Sequence, residues 1–350
     1  MTGPIVIVDG NSMLVRSHFA MAASDLRTPD GTPAWALRGL WNLLSAACER
    51  VNASGMLVAF DSPRSFRSRE YPDYKAGRAR KDDDLKSQII AAPGHVRATG
   101  VHTVVAEDFE ADDVVASAAR FYQENNVASV IVTSDRDAFS LITDDGPGVS
   151  LLRMVNGGAG NWPLLTASRL RILCGVDPGE YRLYAALRGD SSDNLPGVAG
   201  VGPKTAVKLI EYLRAGELSY GDLLADVDGD GTATRDALGA TVVKKLSSET
   251  SRENMTRNLS MMAQVDTLPV GPIDQALFPV DVSVFATEMD RWAFRVTPSA
   301  FTPPRPFDDA HPEATAEPDM FFPSGLAPVT RAPKVSSVPF DDRDAQPSLF

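Results

Sequence analysis

Cysteine is scarce in this 350-residue chain: Cys48 and Cys174 stand far apart and form no Cys-x-x-Cys pair. Two isolated thiols exclude a disulfide scaffold and read as a reduced, cytoplasmic protein. Histidine is scarce too, and His18, His95, His102 and His311 are scattered, which argues against a zinc site. Apolar runs are short. None approaches the length of a membrane span, so no membrane association is expected. The N-terminus passes from Met1-Thr2-Gly3-Pro4 into a four-residue apolar run. That run is too short for a signal-peptide core and lacks a basic leader. No internal repeat is present. Positive charge is also in deficit: 34 Lys and Arg face 46 Asp and Glu, a net charge of −12.

What is present is a pattern of acids. Ile5-Val6-Ile7-Val8 runs into Asp9, Met56-Leu57-Val58-Ala59-Phe60 into Asp61, and Ser129-Val130-Ile131-Val132-Thr133 towards Asp135 and Asp137. Unbroken β-branched and apolar runs of this length suit buried strands of a parallel sheet. In open parallel sheets the ligand crevice lies outside the carboxyl ends of the strands. The acids are thus delivered to one sheet edge, and Glu110-Ala111-Asp112-Asp113 adds three more at a helix start. So many carboxylates stay ionised together only beside cations, and oxygen ligands select hard metal ions. For any single acid, a cap or turn role is the better reading. For the ordered set it is the poorer one.

The net charge misleads about partners. Residues 301–350 hold four Lys/Arg and eight Asp/Glu, which leaves the body at −8. With Asp190 and Asp193, the acid motifs contribute nine of those charges, and without them the body is about +1.

Residues 1–185 alternate strand-like and helical stretches, the pattern of an α/β layer. From 186 to 300 helical stretches dominate and no clear strand appears. Residues 301–350 carry ten prolines and few periodic apolar positions, the composition of a disordered tail. Gly197-Val-Ala-Gly200-Val-Gly202-Pro-Lys204-Thr205-Ala lacks the preceding strand of a dinucleotide fingerprint. It reads as a hairpin whose glycines let backbone N–H groups meet a phosphate at a helix N-terminus, with Lys204 and Lys208 adding charge. Such contacts fix position on a duplex without reading its sequence. Asp226-Val-Asp228-Gly-Asp230-Gly231 opens like a calcium loop, but Ala237 stands where a bidentate Glu is needed, so it reads as an acidic turn.

Val8-Asp9-Gly10, Phe60-Asp61, Tyr74-Lys75-Ala76-Gly77-Arg78, Glu110-Ala111-Asp112-Asp113, Thr133-Ser134-Asp135-Arg136-Asp137, Gly189-Asp190-Ser191-Ser192-Asp193-Asn194-Leu195-Pro196-Gly197 and the glycine hairpin occur in this order. Over about residues 4–298 the chain resembles the bacterial and phage 5′ nucleases, the flap endonucleases and the 5′–3′ exonuclease domain of bacterial DNA polymerase I. No polymerase segment follows, so the resemblance is to a free-standing member.

The resemblance implies an α/β fold with a mainly parallel central sheet, a PIN-like core. It also implies a helical arch at about 62–86, a helix–three-turn–helix DNA-binding region and a disordered C-terminal tail. It implies two Mg²⁺ ions, replaceable by Mn²⁺, held by Asp9, Asp61, Glu110, Asp112, Asp113, Asp135, Asp137, Asp190 and Asp193. Asp9, Asp113 and Asp135 are the leading direct ligands. Lys75 and Arg78 are expected at the scissile phosphate. Arg16, Arg67, Tyr74, Gly200, Gly202, Lys204, Thr205 and Lys208 are expected on DNA, with K⁺ in the hairpin.

The basic stretch Arg64, Arg67, Arg69, Lys75, Arg78, Arg80 and Lys81 interleaves with Phe66, Tyr71 and Tyr74, a composition for phosphates and unpaired bases. The terminal Gln346-Pro347-Ser348-Leu349-Phe350 resembles the pentapeptide that binds the bacterial sliding clamp, through Gln346, Leu349 and Phe350. Asp319-Met320-Phe321-Phe322 is a poorer anchor of that kind. Expected substrates are DNA with 5′ flaps, nicks or RNA primers, in a cytoplasmic, nucleoid-associated setting. The alternative is a clamp-tethered flap-binding adaptor without catalysis, against which the intact acids argue. A ribonuclease on a related acidic α/β fold would lack the glycine hairpin.

Overall fold

The structure, a computed structural model, describes residues 3–302 apart from Ala79 and Thr297. The pentapeptide, the weaker anchor and the rest of the expected tail lie outside the described residues. Six strands form one sheet: β1 Ile5–Asp9, β2 Gly55–Phe60, β3 His102–Val105, β4 Ser129–Thr133, β5 Val149–Arg153 and β6 Leu164–Leu165. Their order is β3-β2-β1-β4-β5-β6, parallel except for β6. The chain leaves β1 for β2 and β3 on one side, then crosses to β4 on the other. That reversal opens a crevice at the carboxyl ends of β1, β2 and β4.

Every residue of β1, β2 and β4 is buried, which explains the unbroken apolar runs. Their side chains alternate between two core layers. Ile5, Ile7, Leu57, Ala59 and Ile131 enter one, and Val6, Val8, Val58, Phe60 and Val132 enter the other. Gly10 directly follows β1 because a Cβ there would lie 2.5 Å from the Phe60 ring and 2.8 Å from the Ala59 carbonyl.

Helices α1 Gly10–Met21 and α2 Trp35–Arg50 cover one face. The expected arch differs from a long helix. It consists of the five-residue α3 Phe66–Glu70, turns from Pro72 to Gly77, and the start of α4 Asp83–Ala98. Pro72 and a left-handed Lys75 (φ 58°) break any continuous helix there. The other face carries α5 Ala111–Glu124, α6 Ala167–Cys174 and α7 Pro178–Arg188. A two-residue ribbon, β7 Gly189–Asp190 with β8 Leu195–Pro196, follows and was too short to be legible in the sequence. Beside it Gly189 (φ 76°) and Gly197 approach so closely that a Cβ on Gly189 would lie 2.3 Å from the Gly197 nitrogen, and one on Gly197 2.3 Å from the Arg188 carbonyl carbon.

The helical region continues through α8 Pro203–Ala215, α9 Tyr220–Asp228, α10 Thr232–Leu238, α11 Ala240–Leu246 and α12 Glu249–Met261. The acids of the calcium-like loop serve these helices instead. Asp226 accepts from the Thr234 N–H, Asp228 pairs with Arg252, and Asp230 accepts from the Thr232 N–H.

Residues 277–301, which the sequence pattern groups with the helical region, return to the α/β layer. The Phe278 N–H donates to the Ser54 carbonyl, and α13 Val282–Arg291 brings Phe285 against Trp41 (ring centroids 5.0 Å), with Phe301 beside both. Trp41 Nε1–H donates to His95 Nε2 (2.7 Å), and a tryptophan nitrogen can only donate. The His95 proton therefore sits on Nδ1, facing Glu288 Oε1 at 2.9 Å. Among the described residues, no helix is long and apolar enough to cross a membrane.

Candidate active site

The crevice is lined by carboxylates whose positions follow from the strand ends. Asp9 is 6 % exposed and caps α1 by accepting from the Ser12 N–H (2.9 Å). Its other oxygen accepts from the Thr133 hydroxyl (2.9 Å), which in turn accepts from the Asp135 N–H. Thr133 thus ties β1 to β4 at the crevice. Its place in Thr-Ser-Asp-Arg-Asp was a signal, but its role was not read there. Asp61 is exposed at the end of β2, where Asn11 receives its N–H, and its carboxylate accepts from the Ala111 N–H (2.8 Å). That bond seats the start of α5, and with it Asp112, against the sheet edge. Asp135 accepts from the Asp137 N–H.

The acids feel one another. Burial, with Asp61 and Asp135 nearby, pushes the Asp9 carboxyl up to about 7. Burial followed by Asp135 and Asp9 raises Asp112 well above the ordinary carboxylate range. Burial with Asp193 and Asp190 raises Asp135, and burial with Asp135, Asp190 and Asp193 raises Asp137 further. Like charges held together in a dry crevice cannot all stay ionised without cations. Among the described residues, however, no three acids converge into a cage that holds an ion by themselves.

Two basic side chains stand against these acids. Lys75 Nζ donates to Glu110 Oε1 (3.0 Å), and its backbone N–H donates to the Asp193 carbonyl. Arg78 Nη2 donates to Asp193 Oδ1 (2.6 Å). Burial opposes the charge on both, yet Asp193 and Glu110 outweigh it at Lys75, and Asp193 outweighs it at Arg78, so both are held more firmly protonated than usual. Lys81 lies near Asp61, Lys75 and Arg78, and burial pulls its ammonium below the ordinary lysine value. Asp190 accepts from the Ser192 N–H and hydroxyl, which shapes the loop that carries Asp193.

Three expected residues are corrected. Asp113 is fully buried, with both oxygens held by Arg67 (2.6 and 2.7 Å) and further bonds from the N–H groups of Val265 and Glu110. No lone pair is aimed at the crevice, so Asp112 replaces it as the ligand candidate on α5. Arg67, 2 % exposed, spends its remaining donors on the carbonyls of Met261 and Ala263 and on Glu110 Oε2 (3.5 Å), and none is left for DNA. Tyr74 is buried, its hydroxyl donating to Glu110 (3.0 Å), so it cannot stack on a base. The α-helical 3.6 spacing cannot distinguish an inward from an outward side chain in so irregular a segment.

Arg16 lies half-buried on α1, donating to the Met154 carbonyl (3.2 Å) and Asn156 (3.3 Å). Gly200 is left-handed (φ 73°), Gly202 caps α8, and Pro203, Lys204 and Thr205 form its first turn, with Lys204 and Lys208 exposed. Lys245 on α11, which the sequence did not single out, donates to the Gly200 carbonyl at 2.6 Å.

A parallel sheet with an acidic mouth, faced by basic side chains and joined to a glycine hairpin that opens a helix, defines a nuclease fold. The chain belongs to the 5′–3′ exonuclease family: the 5′–3′ exonuclease N-terminal resolvase-like domain matches residues 4–162, and the C-terminal SAM fold matches 176–276. It is 32% identical over 275 residues to DNA polymerase I of Mycobacterium tuberculosis, covering 77% of this chain and 29% of the polymerase. It is 35% identical over 222 residues to DNA polymerase I of Pseudomonas aeruginosa, covering 63% and 23%. The chain thus spans less than a third of the length of these curated relatives. Its fold is similar to that of the bacteriophage T5 D15 flap endonuclease, crystallised as a pseudo-enzyme–product complex with DNA and metal ions (TM-score 0.55, 19% identity, covering 82% of this chain and 91% of that one). It is also similar to human GEN1 in complex with Holliday junction DNA (TM-score 0.50, 15% identity, covering 83% and 68%). At such identities the likeness concerns the fold.

Proposed function

We propose that this chain is a structure-specific 5′–3′ exonuclease and flap endonuclease, hydrolysing phosphodiesters of DNA, or of RNA–DNA primers, in replication and repair. One observation carries the reading. Burial first, and neighbouring carboxylates second, raise Asp9, Asp112, Asp135 and Asp137 in one crevice, where Lys75 and Arg78 stand on Glu110 and Asp193.

An all-oxygen donor set with excess negative charge fits hard divalent cations, and Mg²⁺ keeps several waters, so it needs no closed protein cage. Asp9, Asp61, Glu110, Asp112 and Asp135 would hold one Mg²⁺ or Mn²⁺ ion, with Asp137, Asp190 and Asp193 towards a second. When bound, such ions polarise the scissile phosphate, activate a water and neutralise the leaving oxyanion.

The chain's own residues do the rest. Thr133 holds Asp9 and Asp135 in register. Lys75 and Arg78 exchange Glu110 and Asp193 for the phosphate and stabilise charge that develops on it. In-line attack leaves a 5′-phosphate and a 3′-hydroxyl. The α8 N-terminus with Lys204, Thr205 and Lys208 seats the duplex backbone. A K⁺ ion in the hairpin would share its carbonyls with Lys245, whose ammonium donates to the Gly200 carbonyl.

Incubating a labelled 5′-flap duplex with the protein and Mg²⁺ is expected to release the flap, and EDTA to stop it. Binding without cleavage by clean protein would overturn the reading and return the adaptor alternative.

A further inference from the structure

The hairpin is mounted on the α/β layer at two points. The first is α7, which packs Tyr181 against Phe139 (centroids 5.1 Å) beside the acidic mouth and receives the Val198 N–H at the Leu187 carbonyl. The second is α12, and there the attachment is made of directional polar bonds. Asn258, fully buried, donates from Nδ2 to the carbonyls of Ala186 (3.1 Å) and Pro196 (3.0 Å). Asn254 donates to the Gly197 carbonyl (3.1 Å). At the other end of the helix, Arg67 donates to the Met261 and Ala263 carbonyls while gripping Asp113, and Asp113 accepts from the Val265 N–H. One helix is therefore bonded to α7, to β8 and to the first residue of the hairpin through its two asparagines, and through Arg67 at its end to Asp113 on α5, the bearer of Asp112.

We propose that α12 is a spacer that sets the register between a duplex seated on the hairpin and the acidic mouth, with Asn254 and Asn258 as the positioning residues that decide where the cut falls. The proposal rests on the nuclease reading. A helix is stiff along its axis, and hydrogen bonds to backbone carbonyls fix orientation as well as distance. Successive phosphates on one strand are about 3.4 Å apart along the helix axis, so a slip of that size presents a neighbouring phosphate to the mouth. Without the two asparagines, α12 keeps the Arg257 bond to the Pro196 carbonyl (3.3 Å) but loses its bonds to Ala186 and Gly197.

The test compares the full chain with the Asn254→Ala/Asn258→Ala variant, and with Asn254→Ala alone in case the buried substitution prevents folding. A 5′-flap duplex labelled at its 3′ end and resolved to single nucleotides gives the product ladder. The full chain is expected to give one dominant product, and the variants products shifted by one nucleotide to either side. Spin labels at Glu211→Cys on α8 and Glu124→Cys on α5, both exposed, give the distance distribution without DNA. It is expected to widen in the variants. A lower yield with an unchanged ladder, or an unchanged distance distribution, overturns the spacer. If the full chain cuts nothing, the nuclease reading fails on its own, and the spin-label distances still decide the spacer.

Discussion

Arg67 grips both oxygens of Asp113 at 2.6 and 2.7 Å, and both residues are buried. Asp112, next in the chain, faces the opposite way into the crevice, where burial and its acidic neighbours raise it. The two adjacent aspartates therefore separate stability from chemistry. Arg67→Ala, which leaves Asp113 buried without its cation, should cost about 3–5 kcal/mol in urea unfolding. Asp112→Asn should unfold no earlier than the parent in metal-free buffer, because it removes a repelled charge. Asp112→Asn or Asp135→Asn should lower flap cleavage by about 10³-fold or more while flap binding persists. Near-normal turnover in either would remove it from the ligand set.

Lys75 is poised rather than buried as a structural cation, with a left-handed backbone and its ammonium on Glu110. Lys75→Ala should lower kcat by roughly 10²-fold and change KM little, since the side chain acts on charge that develops in the transition state. Single-turnover rates and flap affinities measured side by side check this. Equal losses in both would make Lys75 a docking contact.

His95 is buried against Trp41, Trp292 and Phe294, with Glu288 on Nδ1 and Arg291 nearby. Burial lowers its pKa, outweighing the pull of Glu288. An unfolded chain binds this proton near pH 6.5, whereas the folded chain declines it until lower pH. The contribution of His95 is therefore complete above about pH 6.5 and declines as pH falls below it. The raised carboxyls of Asp9, Asp112, Asp135 and Asp137 act in the opposite sense, so the His95 part is read as a difference: between pH 7.5 and 5 the urea midpoint of the parent should fall relative to that of His95→Gln. A parent–variant difference that does not change with pH would remove His95 from the pH dependence.

Removing Gln346–Phe350 should abolish binding to the bacterial sliding clamp and leave clamp-free cleavage intact. Surface-bound clamp and a flap assay on the same preparations measure both. Unchanged clamp affinity would reduce the pentapeptide to coincidence.

The sheet was legible because β1, β2 and β4 are buried on both faces, so their sequences carry no polar interruption. The acids at their ends were legible for the same reason: each marks where burial stops. Asp113, Arg67 and Tyr74 were misread because a charge or hydroxyl written in sequence does not say which way it faces. Only the return of Met261–Val265 over α5 turns Arg67 inward. Asn254, Asn258 and Lys245 carry no motif at all. Their partners are backbone carbonyls, which every residue possesses. The tie between Glu288 and His95, 193 positions apart, leaves no local signature either.

The placement of residues 277–301 bears on synthesis. Trp41 emerges early from the ribosome, but Phe285 and Phe301, which complete its packing, emerge after the whole helical region. Until the chain has grown past position 301, Trp41 on α2 lacks the two rings that pack against it, so this corner of the α/β layer is the last to be finished.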